Sequence, residues 1–236
     1  MGFTGVEYPY PYQVPIRSSQ RQLRDNGLEV AIVTAPVGDW KNGERGMAAL
    51  TGREEEFLGT VEQGVEYALA LGCGSIHVMS GFLPARADRR QAGKTMAENL
   101  TRAADICAKN GLNVVIEPIN NIEQPGYFMN DLKTALDILE ATGKDNIFLL
   151  YDIYHGAMNG EDMNTVLRWH IDHVAHFQIA GYPGRNEPAP SEIDYEKIFE
   201  TLDHLDYRGW IGCEYNPRHG TVAGLRWAEK YGIAGN

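Results

Sequence analysis

A parallel α/β fold of the eight-stranded (β/α)8, TIM-barrel type is predicted by three features of this chain, although only seven strand–helix units are evident in it. Short apolar runs alternate with helical patterns, the signature of a parallel sheet. Four of those runs end in a polar, metal-capable side chain: 113–116 leads to Glu117, 146–151 to Asp152, 173–177 to Gln178 and 209–213 to Glu214. The four residues lie 35, 26 and 36 positions apart, about the length of one strand plus one returning helix. If the sheet closes, the carboxyl ends of its strands converge on one face, where barrel enzymes carry their chemistry. Three carboxylates and one amide oxygen, from Glu117, Asp152, Gln178 and Glu214, would then form a divalent-metal site.

The elements follow in order. Strands are expected at 4–8 and 28–34, then a helix at 54–71, where Phe57, Val61, Val65, Ala68 and Leu69 recur at helical spacing and Gly72 supplies the stop. A strand at 75–79 precedes a long helix at 89–109 that ends on Asn110-Gly111. The four strands already named come next, separated by helices at 131–141, 162–170 and 195–205, with a last helix at 222–230. The loops after the first two strands are long: Tyr8-Pro9-Tyr10-Pro11-Tyr12, and the stretch from Ala35 to Gly52. Loops of that length at strand ends are often functional. A closed barrel needs eight units, so either the first one is absent or the barrel is open.

Composition narrows the function. A chain of 236 residues fits one domain spanning 1–236, and no run approaches the ~20 apolar residues needed to cross a bilayer. The formal net charge of −11 opposes general affinity for nucleic acid or anionic membranes, while leaving a small anionic substrate open. Cys73, Cys107 and Cys213 are odd in number and scattered, which reads as buried free thiols. The N-terminus carries no apolar signal core, and Val6 stands where a myristoylation signal wants Ser or Thr, so a cytoplasmic location is expected.

Nearly the whole chain resembles one family. The stretches are Ile116-Glu117-Pro118-Ile119-Asn120, Tyr151-Asp152-Ile153-Tyr154-His155, Gln178-Ile179-Ala180, Pro183-Gly184-Arg185-Asn186-Glu187-Pro188 and Trp210-Ile211-Gly212-Cys213-Glu214-Tyr215. Upstream, Ala35-Pro36-Val37-Gly38-Asp39-Trp40, Gly43-Glu44-Arg45-Gly46 and His77-Val78-Met79-Ser80-Gly81 fit as well. Together they are similar to the hydroxypyruvate isomerase family, within the xylose-isomerase-like sugar isomerases and epimerases. The resemblance implies that Glu117 and Glu214 are the proton donor/acceptor pair and that Asp152 and Gln178 complete the metal set with them. It implies that His155 contacts substrate oxygens and that Arg185 meets a substrate carboxylate. The family begins with a further strand and helix, which implies that this chain lacks the first unit. The edges of strands 4–8 and 211–214 would then be unpaired and flank a gap. Gly181 stands where members often carry Asp, which implies a looser substrate loop or a changed substrate preference.

The chemistry suits these residues. Interconverting hydroxypyruvate and 2-hydroxy-3-oxopropanoate (tartronate semialdehyde) moves a proton between adjacent carbons through an enediolate, and needs a base, an acid and a charge to hold the oxyanion. An all-oxygen ligand set favours Mg2+ or Mn2+ over zinc. Each residue also has a plainer reading: Glu117 and Asp152 as helix caps or ion-pair partners, Gln178 as a buried amide bonded to backbone. His155, placed in a strand-to-helix loop, favours substrate contact, and so does Arg185 on an otherwise acidic face. His77 is a substrate contact or a core histidine, Glu123 a substrate contact or a solvated loop carboxylate. His173 and His176, on opposite faces of one strand, read as structural. The partner expected is a small anionic oxo acid, with a homo-oligomer as an open possibility. Competing readings are an isomerase or epimerase of a related oxo acid or ketose such as 2-oxotetronate, a metal-dependent phosphodiesterase, and a truncated non-catalytic barrel. The phosphodiesterase would want more histidine ligands and a basic groove.

Overall fold

Seven strands carry the apolar runs of the sequence in a computed structural model that describes residues 2–233. They are β1 (Gly5–Tyr8), β2 (Glu29–Thr34), β3 (Ser75–His77), β4 (Asn113–Ile116), β5 (Ile147–Asp152), β6 (Val174–Ile179) and β7 (Trp210–Cys213). Seven α-helices join them: α1 (Ile16–Asn26), α2 (Glu54–Leu71), α3 (Arg89–Ala108), α4 (Leu132–Thr142), α5 (Ile153–Met158), α6 (Met163–Trp169) and α7 (Tyr195–His204). The chain divides into two units, Gly5–Leu150 and Tyr151–Asn236, the latter with Met1–Thr4. The division falls inside β5.

In the first unit, β1 through β5 pair in parallel, each with the next. Val114, Val115 and Ile116 are all buried, so β4 is covered on both faces, as parallel sheets require. The helices are set by their ends. Three glutamates in the first turn of α2 complement the helix dipole, and Gly72 closes it in the left-handed conformation at φ 71°. Asp88 caps α3 by accepting from the Arg90 and Gln91 amides, and Asp131 caps α4 by accepting from Thr134. Gly64 lets α2 approach β2 closely: a Cβ there would stand 3.3 Å from that of Ala35. In the second unit, β6 and β7 pair in parallel with Gln178 opposite Gly212.

Several expectations need correction. Helix α1 was not foreseen, because Ile16–Asn26 is strongly polar; Pro15 before it and Gly27 after it (φ 61°) mark its ends. Helix α5 starts directly on the end of β5, so His155 lies in a helix rather than a loop. His173 lies in a short 3-10 turn, leaving His176 as the strand residue of that pair. The last element, Ala223–Tyr231, is a 3-10 helix. Cys73 and Cys107 are buried as expected, whereas Cys213 is half-buried. No helix among the described residues is long and apolar enough to cross a membrane.

Candidate active site

In the first unit, register sets one cluster of polar side chains. Thr34 and His77 end β2 and β3 and lie directly opposite each other, and His77 lies opposite Val115 on β4. Strand alternation returns to the same face two residues later, at Glu117. Thr34 Oγ1 is 3.5 Å from His77 Nδ1, and His77 Nε2 is 3.6 Å from Glu117 Oε2. All three side chains are buried. Tyr12 donates its hydroxyl to the Thr34 carbonyl at 2.6 Å. Beyond Glu117, the Tyr127 hydroxyl accepts from the Ser80 amide at 3.0 Å, and Ser80 Oγ accepts from the Met129 amide at 3.2 Å. These bonds stitch the loops after β3 and β4 together. Burial, reinforced by the Glu117 carboxylate, raises the Tyr127 phenol far above its ordinary range, so it stays protonated. Glu123 lies on the surface near Asn120, whose Nδ2 donates to Glu123 Oε2 at 3.4 Å.

The second unit holds a more ionic cluster. Asp152 ends β5 and caps α5, its Oδ1 accepting from the Tyr154 amide at 2.9 Å. The capping role foreseen for Asp152 is therefore real, and it uses one oxygen. The other, Oδ2, accepts from Arg185 Nη2 at 3.1 Å, and the same nitrogen donates to Glu214 Oε2 at 2.8 Å. His155, one turn into α5, places Nε2 3.6 Å from Asp152 Oδ2. Burial, with the Arg185 guanidinium adding to it, pushes His155 down to about 3, so its imidazole is neutral at physiological pH. Glu214 follows β7 and has 51% of its side chain exposed, in contrast to Asp152 at 0%. Gln178 sits in β6, buried, one residue before the strand's end.

Arg185 reaches both carboxylates because its loop is drawn in tightly. Gly181 donates its amide to the Asn186 carbonyl at 2.8 Å, and a Cβ on Gly181 would meet the Glu187 carbonyl oxygen at 2.2 Å. The glycine thus permits close packing here, contrary to the looser loop expected of it. Arg185 itself sits at φ 54°, and the Asn216 amide donates to its carbonyl at 2.7 Å. Asn186 Nδ2 donates to the Asn216 carbonyl at 2.9 Å, which ties the loop to the segment after β7. The Tyr154 ring lies under the guanidinium, 5.3 Å from its carbon.

Thr34, Tyr154, Asn186 and Asn216 are the contributors that sequence reading missed. Register with His77 was the signal for Thr34; Tyr154 lies in the unforeseen α5, and Asn186 and Asn216 depend on loop conformation, which carries no periodicity. A cation fits this chemistry. Arg185 already brings positive charge to Asp152 and Glu214 together. Glu117, Asp152 and His155 are buried and each offers an atom able to bind a metal. A neutral His155 can serve as a ligand, which the all-oxygen set read from the sequence omits.

The family model that matches residues 1–231 describes a xylose isomerase-like TIM barrel. The 2-oxo-tetronate isomerase of Cupriavidus necator is 44% identical over 230 residues, covering 98% of this chain and 88% of that protein. The hydroxypyruvate isomerase of Escherichia coli is 42% identical over 231 residues, covering 98% and 89%. A Brucella melitensis crystal structure described as an AP endonuclease, family 2, matches with a TM-score of 0.94 at 39% identity over 98% of this chain and 89% of that one. The 3-keto-D-glucoside 4-epimerase of E. coli shares the fold, with a TM-score of 0.76 at 20% identity over 91% and 84%. With the strand-end carboxylates in place and relatives matched along almost its whole length, this chain belongs to the xylose isomerase-like TIM barrel family.

Proposed function

We propose that this protein is an oxo-acid isomerase that interconverts hydroxypyruvate and 2-hydroxy-3-oxopropanoate, with 2-oxo-tetronate as the alternative substrate. The observation that carries this reading is identity of 44% and 42%, across nearly the full chain, to two proteins named as isomerases of these acids. In the reaction one glutamate of the pair Glu117 and Glu214 takes a proton from the hydroxymethyl carbon. The other delivers a proton to the neighbouring carbon, one proton passes between the two substrate oxygens, and exchange with solvent resets the pair. Arg185 binds the substrate carboxylate, which does not react, and His155 contacts its oxygens. His77 and Glu123 are further candidates for substrate contact. Glu117, Asp152, Gln178 and Glu214 would hold Mg2+ or Mn2+, with His155 as an added candidate. The ion's contribution when bound is positive charge that stabilises the developing oxyanion.

Two features support this, each within its own unit: a buried carboxylate near His77, and an ionic cluster of Asp152, Arg185 and Glu214. The endonuclease description of the Brucella protein is that protein's own; a net charge of −11 here opposes binding to a polyanion. The test is turnover of hydroxypyruvate and of 2-oxo-tetronate by purified protein, with and without added Mn2+, and solvent deuterium uptake into product. Turnover with carbon-bound deuterium is the expected result. Absence of turnover on both acids overturns the proposal.

A further inference from the structure

We propose that Thr34 and His77 form a positioning relay that holds the carboxylate of Glu117 in its working orientation, a role for His77 distinct from substrate contact. The inference rests on Glu117 being an acid/base group, as proposed above. Three observations carry it. Thr34, His77 and Glu117 stand in line, separated by 3.5 and 3.6 Å, from three adjacent strand ends. Each is almost wholly buried, at 5%, 5% and 7% exposure, where a polar group without support is costly. The first member is itself anchored, because Thr34 lies in register opposite His77 and its carbonyl accepts from Tyr12.

The chemistry follows from the two ring nitrogens. A Thr34 hydroxyl that donates to Nδ1 leaves the imidazole proton on Nε2, which faces Glu117 Oε2. The histidine then acts as a donor to the carboxylate without being charged. A separation of 3.6 Å is longer than a hydrogen bond, and catalytic contacts of this kind tighten in the substrate complex. Partners of this sort orient the group that does the chemistry rather than touch the reacting atoms. Thr34 suits such a role because its hydroxyl is small, β-branching limits its side-chain rotation, and its strand is paired on both sides.

The test combines crystal structures and kinetics of Thr34→Val, Thr34→Ser and His77→Gln. Valine keeps the shape of threonine without the hydroxyl, serine keeps the hydroxyl, and the glutamine amide can reach the place of Nε2. Thr34→Val is expected to turn the imidazole, displace the Glu117 carboxylate and lower kcat by about 10-fold with KM changed less than about twofold. Thr34→Ser is expected to keep the carboxylate in place and most of the turnover, and His77→Gln to keep the carboxylate in place. A Glu117 carboxylate that keeps its position in Thr34→Val overturns the relay, whatever the activity. A rise in KM alone in His77→Gln also overturns it, because His77 then touches substrate. If the unmodified protein turned over neither acid, the functional reading would fail while the structures still decided the relay. Melting temperatures identify any variant that fails to fold, and Thr34→Ala then stands in for Thr34→Val with the same expected displacement of Glu117.

Discussion

Glu117 and Glu214 hold the same place in the sequence pattern, each one step beyond a parallel strand, yet their surroundings are opposite. Glu117 is buried beside the His77 imidazole, at 3.6 Å, and near the protonated Tyr127 phenol. Glu214 has half its side chain in solvent and bonds directly to a guanidinium at 2.8 Å. The environment of a strand-end carboxylate is therefore decided by its neighbours across the sheet and in the loops. In the first unit the neighbours are strand residues in register; in the second they come from a loop. One carboxylate sits in low dielectric, where each interaction is strong. The other is screened by water and depends on Arg185 for its orientation.

The sharpest way to break that comparison is to neutralise each carboxylate in turn. Glu117→Gln and Glu214→Gln should each lower kcat by about 100-fold or more with the fold retained by circular dichroism. A similar loss in both would show that chemistry, not environment, governs their weight. Near-normal turnover in either would remove it from the acid/base pair.

Arg185 tests the loop-supported half. Replacement by Gln breaks the bonds to Asp152 and Glu214 and removes the expected anchor for the substrate carboxylate. KM should rise by roughly 10-fold with a smaller change in kcat, since a non-reacting handle contributes similarly to ground and transition states. Lys should not rescue it, because one ammonium cannot reproduce a planar guanidinium stacked on Tyr154. A change confined to kcat would mean that Arg185 serves only to orient Glu214.

Gly181→Asp probes the same loop through its backbone. Its Cβ would meet the Glu187 carbonyl oxygen at 2.2 Å, and backbone there must shift. A loss of about 1–3 kcal/mol in stability by urea denaturation is expected, as for other overpacked sites. The control is Gly59→Ala, in α2, where a Cβ meets nothing within 4 Å.

The contrast between the two halves also explains what was legible in the sequence. Strand runs such as Val114-Val115-Ile116 are buried on both faces, so their apolar continuity placed the strand end, and Glu117 after it, directly. Helix α2 declared itself by period and by Gly72. Helix α5 did not, because Asp152 is at once the last strand residue and the cap, leaving no linker to read; this is why His155 was expected in a loop. Arg185 was identifiable as a cation in a loop, but its partners were not. Its reach depends on the Gly181–Asn186 bridge and on Asn216, contacts that no local pattern encodes.

The smallest effect concerns the two oxygens of Asp152. Oδ1 caps α5 and Oδ2 meets Arg185, so one side chain carries a structural role and an electrostatic one. Asn caps a helix about as well as Asp, which lets Asp152→Asn keep the first role and lose the charge. Asp152→Ala loses both. The difference in unfolding free energy between the two variants should be about 1 kcal/mol, the usual value of a cap. Mn2+ titration should show weakened binding in both alike, because the charge is gone from each. If Asn proved as unstable as Ala, the cap would contribute nothing and α5 would be held by packing alone, through the buried Ile153, Tyr154 and His155. If Asn bound Mn2+ as tightly as the unmodified protein, Asp152 would leave the metal set and keep only its structural role.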